Sequence, residues 1–405
     1  MKKIFYVLAF FFTVQLNAQK ADTSNTSKLM QEEGLQIEAT EALNNMYNFK
    51  FDVAEAKFQE ILLRYPEHPL PYYLIGLSNW WKMMPFDNED DPRLKQYEPA
   101  FDKYMELSIK KAEKIYDKNE NDIEATFFLC AAHGLIARHY AENGQEMRSI
   151  NNTRKAFSYF KQLNDNNNLS PEFMFGSALF NYYAAWFKQE YPILSPVLAL
   201  FPKGDKALGI KQLKNVSYNS FWTRTEAQYF LMRIYFNEED DDRSALPFSE
   251  YLARTFPDNP YFQRIYARIV FTLGNWKECK EVSESILYKI NIGMPGYEET
   301  SGRYAAFFLG RIYKSGGNLE KAKEYYKKAM AFAEKTGATK QNYYLHAAAD
   351  LARAQQLESR DGKPLLRLDR EDVRRSPRCA AVVAGAARGP ARSKAQLLVQ
   401  LPGAQ

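Results

Sequence analysis

The sequence predicts an all-α protein built as an α-α superhelix, a solenoid in which antiparallel helix pairs stack on one another. Apolar residues recur at helical spacing from about residue 34 to residue 358, without the strict alternation that is typical of half-buried strands. Clusters of Pro, Gly and Asn separate these runs and mark the loops. Small residues recur at fixed separations in successive runs, as close helix crossings require.

Composition excludes several classes of protein. The 405 residues are 46% hydrophobic, which is ample for a core and unlike a mainly disordered chain. Residues 361–405 hold 9 Lys and Arg against 4 Asp and Glu, so the whole formal charge of +5 lies there. Residues 1–360 therefore have no net formal charge. This argues against a protein that binds nucleic acid, because such a protein needs a basic face. The three Cys and four His lie far apart, without metal-ligand spacing, so we expect no metal and no cofactor.

Residues 1–18 have the pattern of a secretory signal peptide. Two lysines precede an apolar run at residues 4–16, and the small residue Ala18 follows it. The run of about 13 residues is shorter than the ~20 that span a bilayer, and no Cys follows it to carry a lipid anchor. The sequence therefore predicts an exported protein, in the periplasm, with no transmembrane helix after cleavage. Residues 19–33 form a polar lead-in.

The helices recur most regularly in residues 206–358, the C-terminal repeats. Ala267 precedes Cys279 by twelve residues, and Gly310 precedes Ala322 by the same separation. A Gly-Asn pair stands in the turn of each unit, at residues 274–275 and 317–318. Residues 34–186 show a looser version, in which Ala54, Phe58 and Pro66 are followed by Ile75 and Gly76.

This skeleton resembles the tetratricopeptide repeat (TPR), whose period is 34 residues. The resemblance implies that the first helix of each pair lines a concave groove in which a protein or peptide segment binds. The groove residues expected on that basis are Tyr73, Leu77, Trp80, Trp81, Tyr261, Arg264, Arg268, Tyr304, Phe307, Arg311 and Lys314. The Arg and aromatic side chains among them suit an extended acidic peptide or a terminal carboxylate. The same residue types also serve as half-buried packing between repeats.

The motifs of catalysis are missing from the sequence. We find no P-loop, no GxSxG and no metal-binding pair of His on one helix face, so we expect a non-catalytic scaffold or adaptor and not an enzyme. His133 and His139 read as packing or surface residues, and Cys130 and Cys279 as small core residues. The alternative is a glycan-binding protein of a bacterial nutrient-uptake system, with Trp80 and Trp81 as the platform.

Two segments depart from the repeats. Residues 187–205 are apolar but contain three prolines, so they either pack on the solenoid edge as a connector or lie in the groove and gate it. Residues 359–405 form an atypical tail rich in Arg, Ala, Gly and Pro; residues 361–405 contain no aromatic residue, although the chain has 60. The tail is either foreign to the protein or a basic arm that contacts an acidic surface.

Overall fold

The chain is helical throughout the part that its computed structural model describes, which is residues 29–86, 91–166, 170–190, 202–340 and 342–359. No strand occurs among these residues, so the predicted all-α class is confirmed. The signal peptide, most of the connector at 187–205 and nearly all of the tail at 359–405 lie outside the described residues. The chain divides into two compact units, Met1–Leu231 (unit 1) and Met232–Gln405 (unit 2).

Unit 1 begins, in its described part, with a 3-10 turn at Leu29–Gln31 and continues as a series of helices. These are α1 (Glu33–Tyr47), α2 (Phe51–Arg64), α3 (Pro69–Met83), α4 (Pro92–Lys95), α5 (Glu98–Tyr116), α6 (Ile123–Glu142), α7 (Glu146–Asp165), α8 (Pro171–Glu190), α9 (Lys206–Asn219) and α10 (Arg224–Arg233), the last of which contains the boundary between the units. From α1 to α9 each long helix packs on the next. In addition α1 contacts α3, α3 contacts α6, and α6 contacts α8, so these four form an inner layer.

Unit 2 repeats the same arrangement. A π-helical turn at Ile234–Glu238 leads to α11 (Asp242–Thr255), α12 (Pro260–Thr272), α13 (Trp276–Asn291), α14 (Glu299–Ser315), α15 (Leu319–Lys335) and α16 (Asn342–Ser359). Successive helices pack on each other, and α14 also contacts both α12 and α16. The inner layer of unit 2 is therefore α12, α14 and α16, while α11, α13 and α15 lie outside it. Consecutive packing with alternate helices in contact is the pattern of a helical solenoid.

The helix starts in unit 2 follow from capping residues. The side chain of Asn259 accepts hydrogen bonds from the backbone N–H groups of Tyr261 and Phe262, at 3.0 and 3.1 Å. Asn318 does the same for the N–H of Lys321, at 3.1 Å. Each cap satisfies donors that the first helical turn leaves without an intrahelical acceptor, which fixes where α12 and α15 begin.

The recurring turns have the same backbone conformation. Gly274 and Gly317 both adopt a left-handed conformation, with φ of +74° and +78°. In each turn the following Asn donates its backbone N–H to a carbonyl of the preceding helix at 2.9 Å. A side chain is strained at such φ values, so the Gly-Asn pair is a local cause of the tight helix reversal.

Small residues lie where helices cross, as their spacing predicts. A Cβ atom added to Gly310 would lie 2.5 Å from Cε1 of Tyr326 on the neighbouring α15. One added to Gly76 would lie 2.7 Å from Cε of Met105, where α3 meets α5. Ala267 and Cys279, the corresponding pair of the preceding repeat, are fully buried. Among the described residues no helix is both long and apolar enough to cross a bilayer.

Candidate partner-binding surface

The C-terminal set of predicted groove residues lies on the inner helices of unit 2. Arg264 and Arg268 are one turn apart on α12. The other predicted residues follow at spacings of three or four on α14, which places them along one helix face: Tyr304, Phe307, Arg311 and Lys314. Since α12 and α14 pack directly on each other, one layer holds both sets. Tyr261, at the start of α12, is half-buried. The guanidinium carbon of Arg264 lies 5.4 Å from the centroid of the Tyr261 ring.

Arginine and tyrosine side chains converge in the buried part of this layer. The guanidinium carbon of Arg268 lies 4.8 Å from the ring centroid of Phe236 and 5.0 Å from that of Tyr304. The guanidinium carbon of Arg303 lies 5.0 Å from the Tyr304 ring as well. Tyr343 of α16 packs edge-on against Tyr304, with 4.6 Å between ring centroids. Cations over aromatic faces are stabilised by the ring quadrupole, most strongly where water is excluded.

Burial and charge oppose each other at this arginine–tyrosine cluster, which consists of Arg264, Arg268, Arg303, Tyr304 and Tyr343. The three arginines are only 3%, 6% and 2% exposed. Arg264 lies 3.8 Å from the buried carboxylate of Glu298. Burial raises the pKa of the Tyr343 phenol, while the charges of Arg268 and Arg303 act in the other direction. The net rise in pKa keeps the phenol uncharged at neutral pH.

The accessible part of the layer is a ring of cations around one carboxylate. Asp350 of α16 accepts a hydrogen bond from Nη1 of Arg311 at 2.9 Å and another from Nζ of Lys314 at 2.7 Å. The Tyr326 hydroxyl donates to the same carboxylate at 3.2 Å, and Nη1 of Arg353 lies 3.7 Å from it. We call Arg311, Lys314 and Arg353 the cation triad. Within the described residues, three positive charges therefore surround a single negative one.

Arg311 and Lys314 keep Asp350 ionised, and all three members of the cation triad are partly exposed to solvent. Burial alone would raise the pKa of this carboxyl, but the hydrogen bonds and charges of Lys314 and Arg311 outweigh burial and hold the pKa below its ordinary value. The Asp350 side chain is 3% exposed, whereas Arg311 is 35%, Lys314 21% and Arg353 70% exposed. The carboxylate is thus enclosed, while part of each of the three cationic side chains is exposed to solvent, where a second anion can approach.

The N-terminal set of predicted groove residues lies inside unit 1. Trp81 is fully buried on α3, and its indole N–H donates to Oε1 of Glu226 at 2.9 Å. Trp80 and Leu77 are buried too, and the half-buried Tyr73 packs its ring on Phe128. Their burial leaves little ring surface for a ligand to contact. Binding through these four residues stays a prediction.

Four members of the unit 2 layer were missing from the sequence-based set. Arg303 directly precedes Tyr304 on α14, and both residues are buried. Arg303 could therefore have been included in the set as the neighbour of a predicted residue. Tyr343, Asp350 and Arg353 lie on α16, after the last complete repeat, so the repeat spacing gives no register for them. The role of Asp350 appears from its hydrogen bonds with Arg311 and Lys314, 39 and 36 positions earlier in the sequence, and that of Tyr343 from its ring contact with Tyr304.

The histidine and cysteine side chains that the sequence analysis considered for catalysis are either bonded to a neighbouring side chain or buried as thiols. His139 lies 3.1 Å from Glu98, and Nδ1 of His133 lies 2.7 Å from Oδ1 of Asn152. Burial raises the pKa of the Cys130 and Cys279 thiols to about 12, so neither is a thiolate at neutral pH. Within the described ranges, no three or more His, Cys, Asp or Glu side chains are grouped as a metal site.

Comparison with known proteins adds no assignment. No family model matches the chain, and a search of curated proteins returns no significant relative. The functional argument therefore depends on the residues of unit 2.

Proposed function

We propose that this chain is a non-catalytic, TPR-like scaffold or adaptor that binds an acidic segment of a protein partner on the inner layer of unit 2. The observation that carries the proposal is the cation triad of Arg311, Lys314 and Arg353, which surrounds the single carboxylate of Asp350. A site with an excess of exposed cations attracts carboxylates and gains from bidentate guanidinium pairing.

The aromatic rings next to the triad fix the position of its helices. Phe307 and Tyr304 lie on the same face of α14 as Arg311, and their rings pack on Tyr343 at centroid distances of 5.1 and 4.6 Å. All three rings are buried, so they hold α14 and α16 together beneath the cations, and the proposal assigns contact with the acidic side chains of the peptide to the cations alone. The buried arginines of the arginine–tyrosine cluster add positive potential to the same layer.

The other parts of the proposal depend mainly on the sequence. Export to the periplasm is proposed from the leader at residues 1–18. Membership of the TPR family is proposed from the spacing of Gly310, Ala322 and their counterparts, together with the packing of helix pairs. Glycan binding stays the alternative that the sequence leaves open, and the indoles of Trp80 and Trp81, its expected platform, are buried.

Charge reversal in the triad tests the proposal. A fluorescein-labelled decapeptide of alternating Glu and Gly is titrated with the native protein and with the Arg311→Glu/Lys314→Glu variant, and fluorescence anisotropy is followed at low and physiological salt. Lys277→Glu is the matched control, because Lys277 is exposed on the outer helix α13. We expect the double variant to lose about ten-fold or more in affinity, since several kcal/mol follow from placing like charges together. Equal affinity of all three proteins would contradict the proposal.

A further inference from the structure

The 3-10 turn at Leu29–Gln31 is held inside unit 1 in the way that a bound peptide is held. The backbone N–H of Met30 donates to Oε1 of Glu124 at 3.0 Å. The backbone carbonyl of Met30 accepts a hydrogen bond from the indole N–H of Trp222 at 2.8 Å, and another from Nε2 of Gln36 at 2.6 Å. The Met30 residue is only 2% exposed. One residue is thus recognised through both of its main-chain polar groups and through its side chain.

The groups that hold Met30 are positioned without help from the turn. Glu124 lies in the first turn of α6, and its second carboxylate oxygen lies 3.3 Å from Nε2 of His68. Trp222 donates its own backbone N–H to Glu172 at 2.9 Å, and Glu172 also accepts from the backbone N–H of Thr223 at 3.0 Å. These contacts join parts of unit 1 that are far apart in sequence. The acceptor and the donor for a peptide group are therefore built into the unit, as in a preorganised binding site.

The chemistry of this site specifies a peptide. A carboxylate oxygen and an indole N–H, both buried, match one main-chain N–H and one main-chain carbonyl. The buried side-chain position accepts a long, unbranched and polarisable residue such as methionine, which adapts to irregular surroundings. A charged side chain is excluded from it, because burial without a partner is costly.

We propose that unit 1 contains a peptide-binding site that the chain's own turn at Leu29–Gln31 occupies, and that a peptide segment presenting methionine in an equivalent conformation is its external ligand. The tether gives the turn a high effective concentration, so an external segment binds only when the turn is displaced or removed. The turn therefore acts as an internal competitor. This site is separate from the inner layer of unit 2, and its test does not depend on the cation triad.

The test uses the full chain with one substitution. In Met30→Glu the turn carries a carboxylate whose burial at this position is unfavourable. The turn therefore leaves the site, and the site is open to an external peptide. The probe is a fluorescein-labelled synthetic peptide with the sequence of residues 26–34, and its binding is followed by fluorescence anisotropy. The matched control is Met147→Glu, because Met147 of α7 is 69% exposed and the same substitution there changes only surface charge.

We expect the probe to bind Met30→Glu with an apparent Kd at least about ten-fold lower than for the native chain or Met147→Glu, because only the first has an open site. A probe with Glu in place of its methionine should not bind any of the three. Equal binding by all three proteins, or no binding by a Met30→Glu protein with native helical circular dichroism, would overturn the proposal. If both Met30→Glu and the milder Met30→Ala fail to fold, the turn is an integral part of the core and the proposal is wrong.

Discussion

Replacing Gly310 with alanine tests the close helix crossing on which the fold depends. The added Cβ would lie 2.5 Å from Cε1 and 2.6 Å from Cδ1 of Tyr326, about 1 Å inside normal carbon–carbon contact. The Tyr326 ring cannot yield easily, because it is rigid, fully buried and hydrogen-bonded through its hydroxyl to Asp350. The crossing of α14 and α15 must therefore widen.

The expected magnitude is the difference between two effects. Overpacking a buried contact costs about 1–3 kcal/mol. Exchanging glycine for alanine inside a helix raises the free energy of unfolding by roughly 0.5–1 kcal/mol. We therefore expect Gly310→Ala to lower the free energy of unfolding by up to about 2.5 kcal/mol, and Gly310→Leu to lower it further. Urea denaturation followed by circular dichroism measures the change, with an unchanged m-value showing that the unfolding reaction is the same.

A second glycine provides the matched control. A Cβ on Gly134, in the middle of α6, would meet nothing within 4 Å. Gly134→Ala should therefore raise the free energy of unfolding by about 0.4–1 kcal/mol. Removing the obstructing ring with Tyr326→Leu should make the cost of Gly310→Ala smaller in that background, a non-additivity expected of residues in contact. If Gly310→Ala is stabilising like Gly134→Ala, the helices do not cross at Gly310 and the assigned register is wrong.

Four further predictions address charge and processing. The pKa of Asp350 in the folded protein lies below its ordinary value of 3.8. The contribution of Asp350 to stability is therefore complete above pH 3.8 and is lost as the pH falls through the folded pKa. Urea midpoints should fall more steeply in acid for the native chain than for Asp350→Asn. Burial raises the pKa of Glu226 above 4.5 against the hydrogen bonds of Trp81 and Tyr47 and the charge of Arg138, so the contribution of this one carboxyl to stability is greatest below pH 4.5 and is lost as the pH rises through its folded pKa. Glu226→Gln should remove this part of the change in urea midpoint between acid and neutral pH. Intact-mass measurement of the secreted protein should show cleavage after Ala18, and a mass that includes the leader would contradict the signal-peptide prediction. Truncation after residue 360 should leave the melting temperature and peptide affinity unchanged if the tail is foreign, and a loss of affinity would favour the basic-arm alternative.

The fold could be predicted from the sequence because its causes are local. Glycine with positive φ at 274 and 317, an Asn cap after each, and small residues twelve positions apart all act within one helix pair. Such features recur with the repeat and can be read along the chain. The contact of Gly310 with Tyr326 follows from the same spacing.

The candidate site could be predicted only in part, because its decisive contacts are distant in sequence. Helical spacing placed Arg311 and Lys314 on one face, but it could not show that Asp350 from a helix beyond the last complete repeat lies between them. Likewise the repeat register placed Trp81 on the first helix of a pair. It could not show that the buried indole N–H donates to Glu226, 145 residues away, in the interior of unit 1.

Site-specific photocrosslinking in intact cells tests the central claim most directly. A photoreactive amino acid replaces His346, which lies on α16 in the inner layer of unit 2, or Tyr288, which is exposed on the outer helix α13. Crosslinked peptides are then identified by mass spectrometry. The proposed docking role predicts a defined protein joined through an acidic segment from position 346 and not from position 288. Crosslinks from position 288 alone, or segments without acidic residues at position 346, would contradict it.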